Sequence, residues 1–144
     1  MEMIIFTGIP ASGKSSFYKE LFFNSHLRVS MDLLNTRNKE NKLLQYGFET
    51  QSRMVIDNTN VTRESRKKYI EAAKQNQYTI ISYFFESSVQ DCLERNRNRK
   101  DSINEIGIKA KYKELEKPGF EEGFDKIFNV TIINNTFEIT PYEI

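Results

Sequence analysis

Apolar and polar residues alternate along this chain in blocks that switch between the two-residue period of a strand and the 3.6-residue period of a helix. Residues 3–6, Met-Ile-Ile-Phe, are apolar at every position, as in a central parallel strand covered on both faces. Residues 15–23 carry Phe17, Leu21 and Phe22 at helical spacing and predict the first helix. A short second strand is predicted over 27–30, just before Met31 and Asp32, and the polar stretch 33–51 with scattered apolar positions predicts helix in pieces. The run Met54-Val55-Ile56-Asp57 predicts a third strand with a carboxylate at its tip, then the turn-rich Asn58-Thr59-Asn60 and a helix capped by Thr62. Residues 78–85 are the longest β-type run, and 88–95 place Val89, Cys92 and Leu93 on one helical face behind a Ser88 cap. Ser102-Ile103-Asn104-Glu105 reads as a capping box opening a helix toward Glu116, Pro118-Gly119 breaks it, and 127–133 supplies a fifth strand. The piece 136–140 is a candidate for edge pairing. Such alternation predicts an α/β fold: an open, mostly parallel five-stranded sheet with helices on both faces.

Length narrows this to one domain over residues 1–144, since 144 residues suffice for a single buried core and leave little room for a second module. With 21 basic against 20 acidic side chains, charge must be read locally, and a globally basic polymer binder is not indicated. No apolar run is long enough to span a bilayer, so no membrane role and a cytoplasmic location are expected. The lone cysteine, Cys92, has no internal disulfide partner and reads as a buried structural thiol. His26, a single histidine in a loop, reads as structural or exposed. Internal repeats and low-complexity linkers are absent from the sequence, and oligomeric state is not legible in it.

The chemistry gathers on Gly8-Ile9-Pro10-Ala11-Ser12-Gly13-Lys14-Ser15, a full match to G-x-x-x-x-G-K-[ST] standing between a strand and an amphipathic segment. The glycines let successive backbone N–H groups point inward as an anion nest, and the following helix turns its positive end to the same spot. Gly8, Ala11, Ser12, Gly13, Lys14, Ser15 and Ser16 are therefore the expected binding residues for ATP, with the Ser15 hydroxyl a ligand for Mg²⁺. In an open α/β sheet ligands bind beyond the carboxyl ends of the strands, where Asp32 and Asp57 both fall. Asp57 suits the acid that orients Mg²⁺ with the loop hydroxyl, or else caps a turn. Asp32 suits a proton acceptor for an attacking hydroxyl, and equally a plain turn aspartate. Arg95-Asn96-Arg97-Asn98-Arg99-Lys100 reads as a lid whose arginines stabilise transferred charge, with a solvated helix end as the alternative. A second basic cluster, Arg63-Glu64-Ser65-Arg66-Lys67-Lys68, reads mainly as solvated surface, and more weakly as a grip on an anionic polymer.

Five stretches in order carry a resemblance: Thr7 through Phe17, Val29-Ser30-Met31-Asp32, Ile56-Asp57-Asn58-Thr59-Asn60, Arg95 through Arg99, and Tyr112 with Lys117-Pro118-Gly119-Phe120-Glu121-Glu122-Gly123-Phe124. Together they resemble the kinase domain of the polynucleotide 5′-hydroxyl kinases, almost end to end. The resemblance implies the P-loop kinase fold with an arginine-bearing lid, and phosphoryl transfer from ATP to a 5′-hydroxyl end of DNA or RNA. It implies Lys14 and Ser15 on the triphosphate and metal, Asp32 as general base, Asp57 beside Ser15 and the metal, and Arg95 and Arg99 in the lid. Lys14, Asp32 and Arg99 then form the catalytic set, and Asp32, Arg37 and Asn60 face the acceptor. One departure concerns the acceptor: where related kinases often carry an arginine three residues after the base, this chain has Asn35, with Arg37 two residues further. The larger members also carry a phosphatase with an Asp-x-Asp signature, which this sequence lacks, so kinase activity alone is expected of it. Two other readings stay open: a kinase for a small hydroxylated metabolite, nucleoside or antibiotic, and a nucleotide-binding regulatory module without turnover.

Overall fold

The apolar run at residues 3–6 lies in the middle of a sheet because both of its faces are covered. In the computed structural model, which describes residues 1–142, it belongs to strand β1 (Glu2–Thr7). Side chains alternate across a strand. Met3 and Ile5 accordingly join a buried cluster on one face with Val29, Met54, Ile56, Tyr69 and Ile80, while Ile4 and Phe6 join Phe17, Tyr18, Val55 and Phe85 on the other. The second cluster is largely aromatic. The Phe17 ring stands 5.2 Å from Phe85 and 5.0 Å from Phe137, both edge-on. Each fully buried phenylalanine contributes about 1.5–3 kcal/mol, so these rings seat the first helix firmly on the sheet.

The remaining elements are α1 (Lys14–Leu21), β2 (Leu27–Val29), α2 (Met31–Leu34), α3 (Arg37–Glu49), β3 (Met54–Ile56), α4 (Arg63–Gln75), β4 (Thr79–Phe85), α5 (Val89–Arg97), α6 (Glu105–Glu114), a short 3-10 turn (Phe120–Glu122), β5 (Lys126–Ile133) and β6 (Thr136–Pro141). The sheet has six strands in the order β2-β3-β1-β4-β5-β6. All pairings are parallel except the last, where the edge segment foreseen near residues 136–140 adds an antiparallel strand to the five expected. The chain leaves β1 toward β2 and leaves β3 toward β4, so neighbouring loops depart in opposite directions and a crevice opens at the carboxyl ends of β1 and β3.

Two of the expected helix starts hold: Thr62 accepts from the Ser65 N–H, and Ser88 from the Asp91 N–H. The third moves. The helix expected from Ser102 begins at Glu105 with Asn104 as cap, its side-chain oxygen accepting from Ile106 N–H at 2.9 Å. Asn96 explains the shift, because its side chain bonds both the N–H and the C=O of Ile103 and holds that residue outside the helix.

The basic start of α4 departs from a solvated surface at Arg66. Its guanidinium is completely buried, donates to Glu122 through Nε at 2.8 Å and Nη2 at 3.0 Å, and bonds the Asn60 carbonyl through Nη1 at 2.8 Å. Breaking one side of a buried ion pair costs about 3–5 kcal/mol, because the other charge is left uncompensated. Glu122→Ala should therefore lower unfolding free energy by about that much in a denaturant titration. Lys67→Ala, whose solvent-side partner Glu71 lies 4.0 Å away, should leave it unchanged.

Candidate active site

The loop between β1 and α1 is built around backbone that side chains fit poorly. Gly13 adopts φ 100° as it opens α1, and a Cβ there would stand 3.0 Å from Ile132 and 3.1 Å from Phe137. A Cβ on Gly8 would meet Ser12 Oγ at 2.6 Å. Ala11 is also left-handed, at φ 65°, and Gly8 N–H is tied to the Thr59 carbonyl at 3.0 Å across the crevice. The resulting turn aims Lys14 back over itself, with Nζ donating to Ile9 O at 2.9 Å and reaching Ser12 Oγ at 3.5 Å. Ser15 and Ser16 stand exposed at the start of the helix.

Across the crevice Asp57 follows β3, and its carboxylate is only 4% exposed. Ser15 Oγ donates to Asp57 Oδ2 at 3.1 Å, so the loop hydroxyl and the strand-end acid meet as expected. Sequence reasoning missed the third member. Arg28 on β2 donates through Nε to the same carboxylate oxygen at 2.8 Å and through Nη2 to Ser15 Oγ at 3.1 Å. No cluster of three or more His, Cys, Asp or Glu side chains able to hold a metal exists among the described residues. Ser15 Oγ and Asp57 are oxygen donors of the kind taken by Mg²⁺, which is commonly bound through one or two protein ligands plus substrate phosphates, and Arg28 stands on the same carboxylate oxygen.

Asp32 opens α2 beyond β2 and is exposed, with no hydrogen bond or ion pair among the described residues. Its backbone is fixed from the next loop: Asn58 Oδ1 accepts from Met31 N–H at 2.8 Å. Asn35, where an arginine was missed, caps α2 in the left-handed region at φ 68°, a conformation that asparagine adopts more readily than arginine. Arg37 lies on α3 beside a polar pocket of about 310 Å³ that Asn58, Asn60, Ser65, Lys68 and Lys111 also line. Asn60 lines that pocket while its amide nitrogen donates to Phe6 O at 2.8 Å.

The lid cations divide. Arg95 Nη1 donates to Ala11 O at 3.0 Å and so docks α5 on the phosphate loop. Arg97 is paired with Glu105 at 2.7 Å, and Arg99 lies 3.5 Å from Asp101 with its side chain 44% exposed. Ile9, Val61, Cys92, Leu93 and Ile108 form an apolar cushion beneath this part of the chain. Cys92 is fully buried, and that burial pushes its thiol up, away from nucleophilic use. His26 lies among Ser25 and Glu2, 2.6 and 2.8 Å away, well clear of the crevice.

Burial brings the Lys14 ammonium down to about 8, with Arg99 adding to the effect while Asp57 and Asp32 oppose it. The protonated form is therefore disfavoured in the folded chain relative to the unfolded one. Its cost is present below pH 8 and is relieved as pH rises toward 10.5. A polyphosphate beside Lys14 reverses that balance. At pH 8.5, nucleotide binding should take up roughly half a proton or more, read by titration calorimetry in buffers of different ionisation enthalpy. The uptake should vanish in Lys14→Met; equal buffer dependence in both proteins would place the titration elsewhere.

The chain is 29% identical over 135 residues to a bifunctional polynucleotide phosphatase/kinase of Schizosaccharomyces pombe, and 29% identical over 139 residues to a putative one of Acanthamoeba polyphaga mimivirus. Each alignment covers 90% of this chain and 33% of the relative, so the chain spans about a third of their length. These relatives bear out the resemblance carried by the five stretches. In fold it is similar to a gluconokinase from Sinorhizobium meliloti, with a TM-score of 0.66 at 19% identity over 90% of this chain and 82% of the other. A family profile described as AAA domain matches residues 31–117, from the start of α2 through the end of α6 and beyond. With more than half of its residues in that match, the chain belongs to the AAA domain family.

Proposed function

We propose that the chain is an ATP-dependent kinase that transfers the γ-phosphate to a 5′-hydroxyl end of DNA or RNA. The observation that carries the reading is the different state of the two strand-end acids. Asp57 is buried and already shared by Ser15 and Arg28. Asp32 is exposed and unpaired among the described residues, one residue after the Met31 N–H that Asn58 of the polar pocket holds. One acid is built for a metal and the other for an acceptor.

In the proposed reaction the nest at Gly8, Ala11, Ser12 and Gly13 and the Lys14 ammonium hold the phosphates, with Ser16 alongside. Ser15 and Asp57 are the residues that would hold Mg²⁺, which when bound would supply neutralising charge to the phosphates. Asp32 accepts the proton of the acceptor hydroxyl as its oxygen bonds to the γ-phosphorus. The bond from that phosphorus to the bridging oxygen breaks, and ADP leaves. Arg95, docked on the loop, and Arg99 in the lid supply donors where charge spreads over the transferring oxygens. Similarity to polynucleotide phosphatase/kinases over 90% of the chain favours a nucleic-acid acceptor.

The test is transfer of labelled γ-phosphate from ATP to 5′-hydroxyl DNA and RNA oligonucleotides, beside a panel of nucleosides and sugars. The expected result is labelling of oligonucleotides far above the small acceptors. A better acceptor among nucleosides or sugars overturns the nucleic-acid reading, and absence of any transfer overturns the kinase.

A further inference from the structure

The pocket lined by Asn58, whose side chain accepts from the N–H of Met31 next to Asp32, rests on a charge that the proposed reaction does not use. Glu40 on α3 carries a carboxylate with 0% side-chain exposure. Lys68 Nζ donates to it at 2.7 Å, Tyr69 Oη at 2.8 Å, Arg37 Nη1 at 2.9 Å and Asn58 Nδ2 at 3.4 Å. Burial works to raise this carboxyl, but the bonds from Lys68, Tyr69 and Arg37 outweigh it and hold it below the usual carboxylate range. Glu40 is thus an ionised group at the floor of a site, with donors from α3, α4 and the loop after β3.

Two of those donors remain open to the pocket. The Arg37 and Lys68 side chains are 61% and 46% exposed, and both line the cavity of about 310 Å³. Arg37 spends only Nη1 on Glu40 and Tyr69, leaving Nε and Nη2 without partners among the described residues. Within this cluster one buried anion lies under two half-exposed cations, an excess of positive charge held in a fixed place, while elsewhere in the lining Lys111 stands against Glu64 and Glu114. The fourth donor points elsewhere. Asn58, whose nitrogen faces Glu40 and Tyr69, uses its oxygen to accept from the N–H of Met31, the residue before Asp32. A buried ionised group is a poor route to stability, since apolar residues of like volume often serve as well. Here it orders several donors at once.

We propose that Glu40 is a positioning residue of the acceptor site: it holds Arg37 and Lys68 as a paired cation for a phosphate adjoining the acceptor hydroxyl, and through Asn58 it sets the backbone that carries Asp32. This rests on the kinase reading and narrows it to acceptors that bear a phosphate near the hydroxyl. The pair stands in for the arginine missing at Asn35, a position committed to capping α2.

The experiment measures binding of a labelled 5′-hydroxyl oligonucleotide by fluorescence anisotropy at several salt concentrations, together with steady-state transfer, for wild type, Glu40→Gln and Lys68→Met. Glu40→Gln keeps the shape and removes the charge. Its acceptor Kd and KM should rise about tenfold or more, and its log affinity against log salt should flatten by roughly 0.7, one phosphate contact on a single strand. The KM for ATP should not change in either variant. Lys68→Met, altered at a half-exposed position, should lose acceptor affinity in the same direction and carries the test if Glu40→Gln does not fold. An unaltered acceptor affinity and salt slope overturns the positioning role. So does a loss shared equally by ATP and acceptor that follows a fall in Tm. Wild-type protein that neither binds nor labels oligonucleotides sinks the acceptor reading itself, whereas active wild type beside an unaltered Glu40→Gln sinks only the role of Glu40.

Discussion

The hydrogen bond from Ser15 to Asp57 joins the loop after β1 to the end of β3, and the site depends on that contact. A carboxylate this deeply buried must be paired, because desolvation of an isolated charge costs far more than the fold can offset. Ser15 and Arg28 supply the partners, one from the helix end and one from the edge strand. The strand order explains how they meet: β3 lies between β2 and β1, so residues leaving all three converge over one crevice. The buried clusters on the two faces of β1 hold those strands in register, and the loop conformation at Ala11 and Gly13 follows from seating α1 against the same sheet.

Charge in the crevice is arranged by degree of burial. Asp57 is buried and paired, Lys14 is partly desolvated and brought down to about 8, and Asp32 stays exposed. Two acids beyond neighbouring strand ends thus differ in burial and in hydrogen-bond partners. Beside the polar pocket a buried anion, Glu40, sits beneath cations that reach water, the inverse of a solvated acidic surface. Asn58 links the two regions by bonding Met31 on one side and facing Glu40 and Tyr69 on the other.

Much of this was legible in the sequence where periodicity and chemistry coincide. The run Met-Ile-Ile-Phe before the loop motif identified β1, and Asp57 at the tip of an apolar triplet had to emerge at a strand end. Side chains whose burial depends on tertiary contact were not legible. Glu40 and Arg66 sit in polar surroundings in the sequence and Arg28 alternates with Leu27 and Val29, and nothing in local spacing tells a charged residue that meets a neighbouring element from one in water. Arg66 is buried because Glu122, 56 positions away, returns to meet it. The start of α6 was misplaced for a similar reason, since the Asn96 contact that restrains Ile103 comes from another helix. The bond from the Asn60 amide to the β1 carbonyl, made while the residue lines the pocket, was likewise not legible in the Asp57 to Asn60 run.

The central claim is that Asp32 and Asp57 divide acid–base work from metal work, and it is tested by measuring phosphoryl transfer and ATP affinity against Mg²⁺ concentration for Asp32→Asn and Asp57→Asn. Asparagine preserves shape in both while abolishing proton acceptance and anionic charge. Asp32→Asn should lower transfer by about a hundredfold or more at saturating Mg²⁺ with ATP affinity retained. Asp57→Asn should instead shift the Mg²⁺ requirement upward and recover part of its activity as Mg²⁺ is raised. The reverse pattern, with the Mg²⁺ requirement moved by Asp32→Asn and not by Asp57→Asn, would contradict the assignment.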